Sequence, residues 1–320
     1  MILSYSLRLL CLLTLVVGLV QAALQLVLSF NARFVLRRIE GVSSRRRERI
    51  LYLLQIGPSL LAVLVAGGLC LPEYLRYEPT REPEPVGWIT VLLAAAVSIW
   101  FGFALLRGLR IALRTLRFTR ICRHSGRLVR HSGGAPILAL AEPIVPLGLV
   151  GLFRPFILIS VDMLEAGGLN AGALQVALDH ERSHALHLDN WKLFSLSFVP
   201  RLPADRWQRH WQIATDWAAD DDAACGDPGR SLLLAEALVR AARSVKPSHS
   251  PLICTALTSA EAGLALRIDR LLRPRRPSRS AGTSLVLGLA GLVFVAIGAA
   301  AIASPSIYSV SEHILHLGGF

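Results

Sequence analysis

Charged side chains are scarce in this sequence. They make up 18% of its 320 residues, where a soluble domain carries about 25%. The shortage is concentrated in four apolar blocks, at residues 9–30, 50–71, 88–106 and 283–303. Each is long enough to cross a bilayer as a helix, which takes about 20 residues. The last two contain no Asp, Glu, Lys or Arg at all. A helix buried in a soluble core rarely stays apolar on every face for so long. An ordinary soluble globule is therefore excluded, and a multi-pass membrane protein with a soluble insert is expected. The five cysteines, at 11, 70, 122, 225 and 254, form no CxxC pair, which excludes a zinc ribbon or a dithiol redox motif. Cys225 is expected to be a buried thiol. No internal repeat is present.

Arginine is abundant, and its placement orients the chain. The net charge is +12. Basic runs occur at 33–49, 107–130 and 267–279. Excess Lys and Arg marks the cytoplasmic flanks of membrane helices. The loop 72–87 is more acidic than basic, and the tail after Ala303 has no Lys or Arg. Both termini are thus expected outside, with 107–280 in the cytosol and anionic lipid beside the basic helix 107–130. The small residues at 20–23 loosely suit a signal-peptide cleavage site. Only Arg8 precedes the first block, however, and seven arginines follow it, so an uncleaved helix is expected. The basic runs sit at membrane ends without interleaved aromatic rings, so direct nucleic-acid binding is not expected.

The expected domains are three membrane helices in 1–106, a cytosolic domain in 107–280, a fourth span in 281–304 and a short outer tail in 305–320. Within the cytosolic segment, the apolar runs 137–141 and 156–160, bounded by Gly and Pro, read as strands. Asn170 is a plausible N-cap for a helix reaching about Leu188. Further helices are expected at 205–224, 231–245 and 259–272. The result is a small, helix-rich α+β domain tethered to the membrane at both ends.

His180-Glu181-Arg182-Ser183-His184 is an HExxH motif. On a helix, side chains at i and i+4 share a face, so both imidazoles can bind one zinc ion. Zinc lowers the pKa of bound water to about 7, and the adjacent Glu181 can take and relay its proton. A catalytic zinc needs a third protein ligand. The downstream candidates are Asp189, Asp205, Asp216, Asp220, Asp221 and Asp222. Asp216 and Asp220 are four apart and share a helix face; one could bind zinc while the other orients a ligand histidine. Asp221 and Asp222 read as a solvated acidic turn, His187 as a weak further ligand candidate, and His210 as a packing or capping residue. Trp207, Trp211 and Trp217 read as core. Asp189 is expected to cap or brace the end of the active-site helix.

In this arrangement the chain resembles the BlaR/MecR-type membrane metallopeptidases, which are gluzincins. Three features carry the resemblance over residues 1–305. They are three spans, a cytosolic zinc domain and a fourth span; Gly151-Leu152-Phe153-Arg154-Pro155 before an apolar strand; and HExxH with Asp189 after it, followed by Asp216-x-x-x-Asp220. The resemblance implies a four-span protein of a bacterial-type cytoplasmic membrane with an inserted gluzincin-like domain. It implies Zn2+ held by His180, His184 and Asp216, Glu181 as base, and Asp220 behind the ligands. It further implies cleavage of a cytosolic protein, such as a transcriptional repressor, or of the chain itself after an outside signal. The strand 156–160 would offer an edge to an extended substrate. The family usually has Glu where this chain has Asp216, so the helix must approach one methylene closer. The best-known members also carry a penicillin-binding domain after the last span. Here the tail is too short to fold alone, so the signal is expected through the membrane helices, the loop 72–87 or a separate sensor partner, and a homodimer is a further partner expectation. The competing reading is a non-catalytic transducer with a zinc-stabilised domain; Asp216 favours it and the intact Glu181 opposes it.

Overall fold

The computed structural model describes residues 2–77, 84–129, 135–141, 146–165, 168–202, 207–244, 254–256, 261–273, 309 and 313–316. Strand β1 (Ile2–Leu3) leads into helix α1 (Tyr5–Phe30), followed by α2 (Ala32–Ile39). Helix α3 (Ser44–Val65) passes through one wider π turn, Ala66–Cys70, into α4 (Leu71–Tyr77). The segment expected to be a loop after residue 71 thus begins as helix. Strand β2 (Glu84–Pro85) pairs with β1. Helix α5 (Trp88–Ser125) then runs unbroken for 38 residues, or roughly 57 Å at 1.5 Å per residue.

Three helical stretches, Tyr5–Phe30, Ser44–Tyr77 and Trp88–Ser125, are long and apolar enough to cross a membrane. Their outward faces carry large apolar side chains such as Leu19, Leu60, Val63, Leu92, Ile99 and Phe103, all more than half exposed. Apolar surface on this scale calls for lipid rather than water. The expected fourth span, 283–303, lies outside the described residues. About 20 residues of α5 suffice for the bilayer. The rest, including the basic part that reads as an interfacial helix, continues into the domain without a break.

The domain is built on that extension. Strands β3 (Arg127–Val129), β4 (Ile137–Leu140), β5 (Leu147–Val150) and β6 (Phe156–Ser160) come first. Helices α6 (Ala171–Leu186), α7 (Asp189–Ser197), α8 (Trp207–Ala224) and α9 (Pro228–Ser244) follow, then β7 (Cys254–Ala256) and α10 (Glu261–Leu272). The sheet order is β3-β4-β6-β5-β7, with β4–β6 parallel and the other pairs antiparallel. Every residue of β5 and β6 is buried. One face packs Ile157 and Ile159 against Val176 and Ala177 of α6 and Leu234 and Leu238 of α9. The other packs Phe156 and Leu158 against Cys122 and Phe118 of α5. Burial on both faces is why these runs are apolar without alternation. It also corrects an expectation: β6 is paired on both sides and offers no edge. The Gly151–Pro155 stretch forms the β5–β6 turn, where Gly151 has φ +100°, a conformation that disfavours any side chain.

Helix α7 lies along α5 and fixes the domain against the membrane helices. Arg107 of α5 donates to the Ser197 and Val199 carbonyls, and Gln21 and Gln25 of α1 donate to the Pro200 carbonyl. Gly108 permits the approach, since a Cβ there would lie 2.5 Å from Phe198 ring atoms. Gly108→Ala is expected to cost about 1–3 kcal/mol through this clash. Thermal unfolding of the detergent-purified chain measures it; an unchanged midpoint would mean that α7 does not dock here.

Candidate metal centre

Helix α6 starts where Asn170 accepts a hydrogen bond from the Ala173 amide at 2.7 Å, which caps it. Its packing face carries Ala177 and Leu178. His180, Glu181 and His184 are all at 0% exposure. The two Nε2 atoms face each other at 3.1 Å. From α8, Asp216 brings Oδ1 to 3.9 Å from His184 Nε2. The three ligand atoms lie within 4.8 Å of one another. Ligands bound tetrahedrally at 2.0–2.1 Å stand about 3.3 Å apart, so the cluster is close to the dimensions zinc requires.

Each histidine is held from behind. Asp220 Oδ1 is 3.0 Å from His180 Nδ1, and Asp189 Oδ2 is 2.9 Å from His184 Nδ1. The Asp189 contact is a hydrogen bond, which fixes the His184 tautomer that leaves Nε2 as a lone-pair donor. The Asp220 contact is a charge contact off hydrogen-bond alignment, and His180 Nε2 faces the Arg267 guanidinium, which calls for the same tautomer. Two such donors facing each other at 3.1 Å, with a carboxylate beside them, fit a shared cation. Asp220 is itself gripped by Arg267 of α10, Nε to Oδ2 at 3.0 Å and Nη2 to Oδ1 at 2.7 Å. Arg267 also lies 3.7 Å from Asp216 and 3.3 Å from His180 Nε2. Asp189 accepts from Lys192 at 2.8 Å, and Lys192 reaches Glu48 of α3 at 3.0 Å. Both oxygens of Glu181 are buried without a well-aligned hydrogen bond, and the Leu149 backbone amide is the polar group that reaches the carboxyl.

The protonation states follow from these surroundings. Burial pushes the Glu181 carboxyl up to about 7, against the pull of His184 and Arg267. Burial lowers His180 to about 4, although Asp220 opposes it. For His184 burial also lowers the pKa, but Asp189, Glu181 and Asp216 together outweigh it and the net shift is upward. Burial raises Asp189 and Asp220, yet their His, Lys and Arg partners hold both below the usual carboxylate range. Below the raised His184 pKa a metal must displace a proton from His184. Zinc affinity is expected to be highest above the His184 pKa and to fall about tenfold per pH unit once that proton must be displaced. Chelator-competition titrations between about pH 8 and about pH 5 measure the slope; a flat profile would remove His184 from the ligand set.

Several sequence expectations change here. Asp221 and Asp222 are not a turn: they lie inside α8, where Asp221 meets Ser44 and Arg270, and Asp222 meets Arg45 and Ser183. Cys225 is exposed rather than buried, just past the end of α8 at φ 49°. His187 turns from the cluster to the Ser183 carbonyl, with Nδ1 to O at 2.9 Å. Trp207 and Trp211 are core, while the Trp217 ring meets the guanidiniums of Arg47 and Arg270, each 5.2 Å from its centre. Asp205 lies outside the described residues. Arg45, Arg267 and Arg270, counted as membrane flanks, are instead bound to α6 and α8. Glu48 and Lys192 are functional residues that the sequence reading does not reach. One signal was available: Lys192 is one of two lysines in the chain, the other being Lys246.

No protein-family model matches the chain, and no curated protein matches it.

Proposed function

We propose that this protein is a membrane-embedded zinc endopeptidase of the BlaR/MecR type, acting on a cytosolic protein. The convergence of His180 Nε2, His184 Nε2 and Asp216 Oδ1 beside the buried carboxyl of Glu181 carries this reading. Those three atoms would hold the metal. Zinc, when bound, would act as a Lewis acid and lower the pKa of the attacking water. Glu181, with a pKa of about 7, takes a proton from that water on its carboxylate. It then gives the proton to the departing amine nitrogen. Asp220 and Asp189 hold the imidazoles, and Arg267 supplies a fixed positive charge beside Asp216.

The membrane arrangement extends the same reading. Ile314 and Leu315 meet Thr90 at the start of α5, whereas Arg270 meets Ser44 at the start of α3. The described residues on either side of 283–303 therefore sit at opposite ends of the Ser44–Tyr77 helix. This supports a fourth crossing there, with both termini outside and the domain in the cytosol. The substrate is a cytosolic protein, for which a transcriptional repressor is the leading class. The activating signal arrives through the membrane helices or a separate sensor partner.

Complete burial of His180, Glu181 and His184 favours a second reading, a transducer in which zinc only stabilises the domain. Against it stands Glu181, since a structural site has no need of a base, and burying its carboxyl beside the ligands is costly. The test is to incubate the detergent-purified chain with a cytosolic protein extract and search by mass spectrometry for new amino termini. Zinc-dependent cleavage supports the peptidase; bound zinc without cleavage, even after activation, supports the transducer.

A further inference from the structure

Glu48 stands two residues before the apolar stretch of α3 and is fully buried. A carboxylate in that position is costly unless it is paired. Its partners come from two other elements. Lys192 of α7 places Nζ 3.0 Å from Oε1, and Trp211 of α8 donates its Nε1 hydrogen to the same oxygen at 3.2 Å. Arg45, one turn earlier on α3, lies 4.0 Å from Oε2. Lys192 does not stop at Glu48. The same ammonium bonds Asp189 Oδ1 at 2.8 Å, and the other oxygen of Asp189 holds His184 Nδ1. Four side chains thus form one continuous chain of contacts from the second membrane-crossing helix to a histidine of the metal cluster.

The neighbouring residues of α3 grip the site from a second side. Arg45 Nη2 donates to Ser183 Oγ at 2.9 Å, inside the HExxH turn, and also meets Asp222. Ser44 donates to Asp221 at 2.8 Å. The cytosolic start of α3 therefore holds α6, α7 and α8 together, and any shift or rotation of the helix acts first on these contacts.

We propose that Glu48 is a positioning residue for the metal centre: through Lys192 and Asp189 it sets the orientation of His184, and so couples the position of the second membrane-spanning helix to metal binding. The proposal rests on the metal-site reading above. It does not require that the site cleave peptides. Lys192 is shared between two carboxylates. If α3 carries Glu48 away, Lys192 is held by Asp189 alone, and Asp189 loses the fixed counter-ion geometry that aims its second oxygen at His184. The membrane helix and the metal ligand are then two ends of one electrostatic linkage.

The experiment measures zinc affinity by chelator competition on the full chain in detergent, alongside thermal unfolding. Glu48→Gln keeps an oxygen acceptor for Trp211 and removes the charge that holds Lys192. Lys192→Met cuts the next link, and Asp189→Asn cuts the last. Asp189→Asn is expected to weaken zinc by about 10- to 100-fold, and the two remoter variants by about 3- to 10-fold. Because all three act along one line, Glu48→Gln added to Asp189→Asn is expected to weaken zinc no further. Wild-type zinc affinity in both Glu48→Gln and Lys192→Met overturns the proposal, even if the melting temperature falls, since that is what a purely structural role predicts. Multiplicative losses in the double variant also overturn it. If the wild-type chain binds no zinc, the metal reading fails and this coupling fails with it. If zinc losses follow the expected order but no variant or wild type cleaves protein, the coupling stands and the peptidase reading alone is lost.

Discussion

Glu181→Gln is expected to lower proteolysis by about 10^2- to 10^4-fold, the usual contribution of a positioned general base, while zinc still binds. Glutamine has the same shape and cannot hold the mobile proton. The metal-facing atoms belong to His180, His184 and Asp216, so the substitution leaves the ligand set intact. It should not unfold the domain either. Glu181 has its pKa raised to about 7 by burial, so above its unfolded value the folded state must either keep a proton or bury a charge. The sign follows from linkage: a raised carboxyl pKa makes stability fall as pH rises from the unfolded pKa through the folded one. Neutral glutamine removes that loss. The metal-free variant is therefore expected to be at least as stable as the wild type above neutral pH. Zinc content, thermal unfolding and the count of new amino termini in a treated protein extract read the three effects separately. Cleavage retained at the wild-type rate would end the assignment of Glu181 as base; zinc lost together with cleavage would place Glu181 among the ligands.

The part of the site that was legible in the sequence is the part fixed by one helix at a time. His180, Glu181 and His184 follow from helical spacing, and so does the shared face of Asp216 and Asp220. The three long apolar helices were legible because a bilayer demands apolar composition over about 20 residues. What could not be read is pairing between distant segments. Asp222 and Arg45 are 177 positions apart, and nothing near either one announces the partner. A run of three aspartates looks solvated, and a run of arginines looks like a membrane flank, until the two meet. The Phe156–Ser160 run is apolar whether it lies at the edge or the centre of a sheet, so its central place was invisible. The helix expected to reach about Leu188 ends at Leu186, close to that bound, but Leu188 lies in a left-handed turn at φ 55° that the sequence does not show. That turn redirects the chain so that Asp189 comes back onto His184. Neither Leu186 nor Leu188 is a residue type that announces such a turn.

Asp216→Ala is expected to have the largest effect on the metal itself. With two histidines and no carboxylate, the site falls below the three protein ligands of a catalytic zinc centre, and affinity should drop by more than about 100-fold, beyond the range of an outer partner such as Asp189. The argument turns on geometry that a shorter side chain must satisfy. Asp216 reaches 3.9 Å from His184 Nε2 because α8 packs directly on α6, with Ala214, Ala218 and Ala219 buried around it. Of these, Ala219 shares the face of Asp216, three residues on, and its small side chain allows the closer approach that aspartate requires, while Ala214 packs on the opposite side toward α3. Asp216→Glu inserts an extra methylene into this space. It should retain zinc at reduced affinity, since the added length must be taken up by a shift of α8 or by bending of the side chain. Asp216→Asn keeps the shape but loses the charge, and should fall between glutamate and alanine. The ranking wild type, glutamate, asparagine, alanine tests the ligand role directly, with thermal unfolding of the metal-free proteins as the control for folding. Equal zinc affinity in wild type and Asp216→Ala would mean that Asp216 is not the third ligand. Asp216 would then be a charge partner of Arg267, 3.7 Å from its Oδ2, rather than a metal ligand.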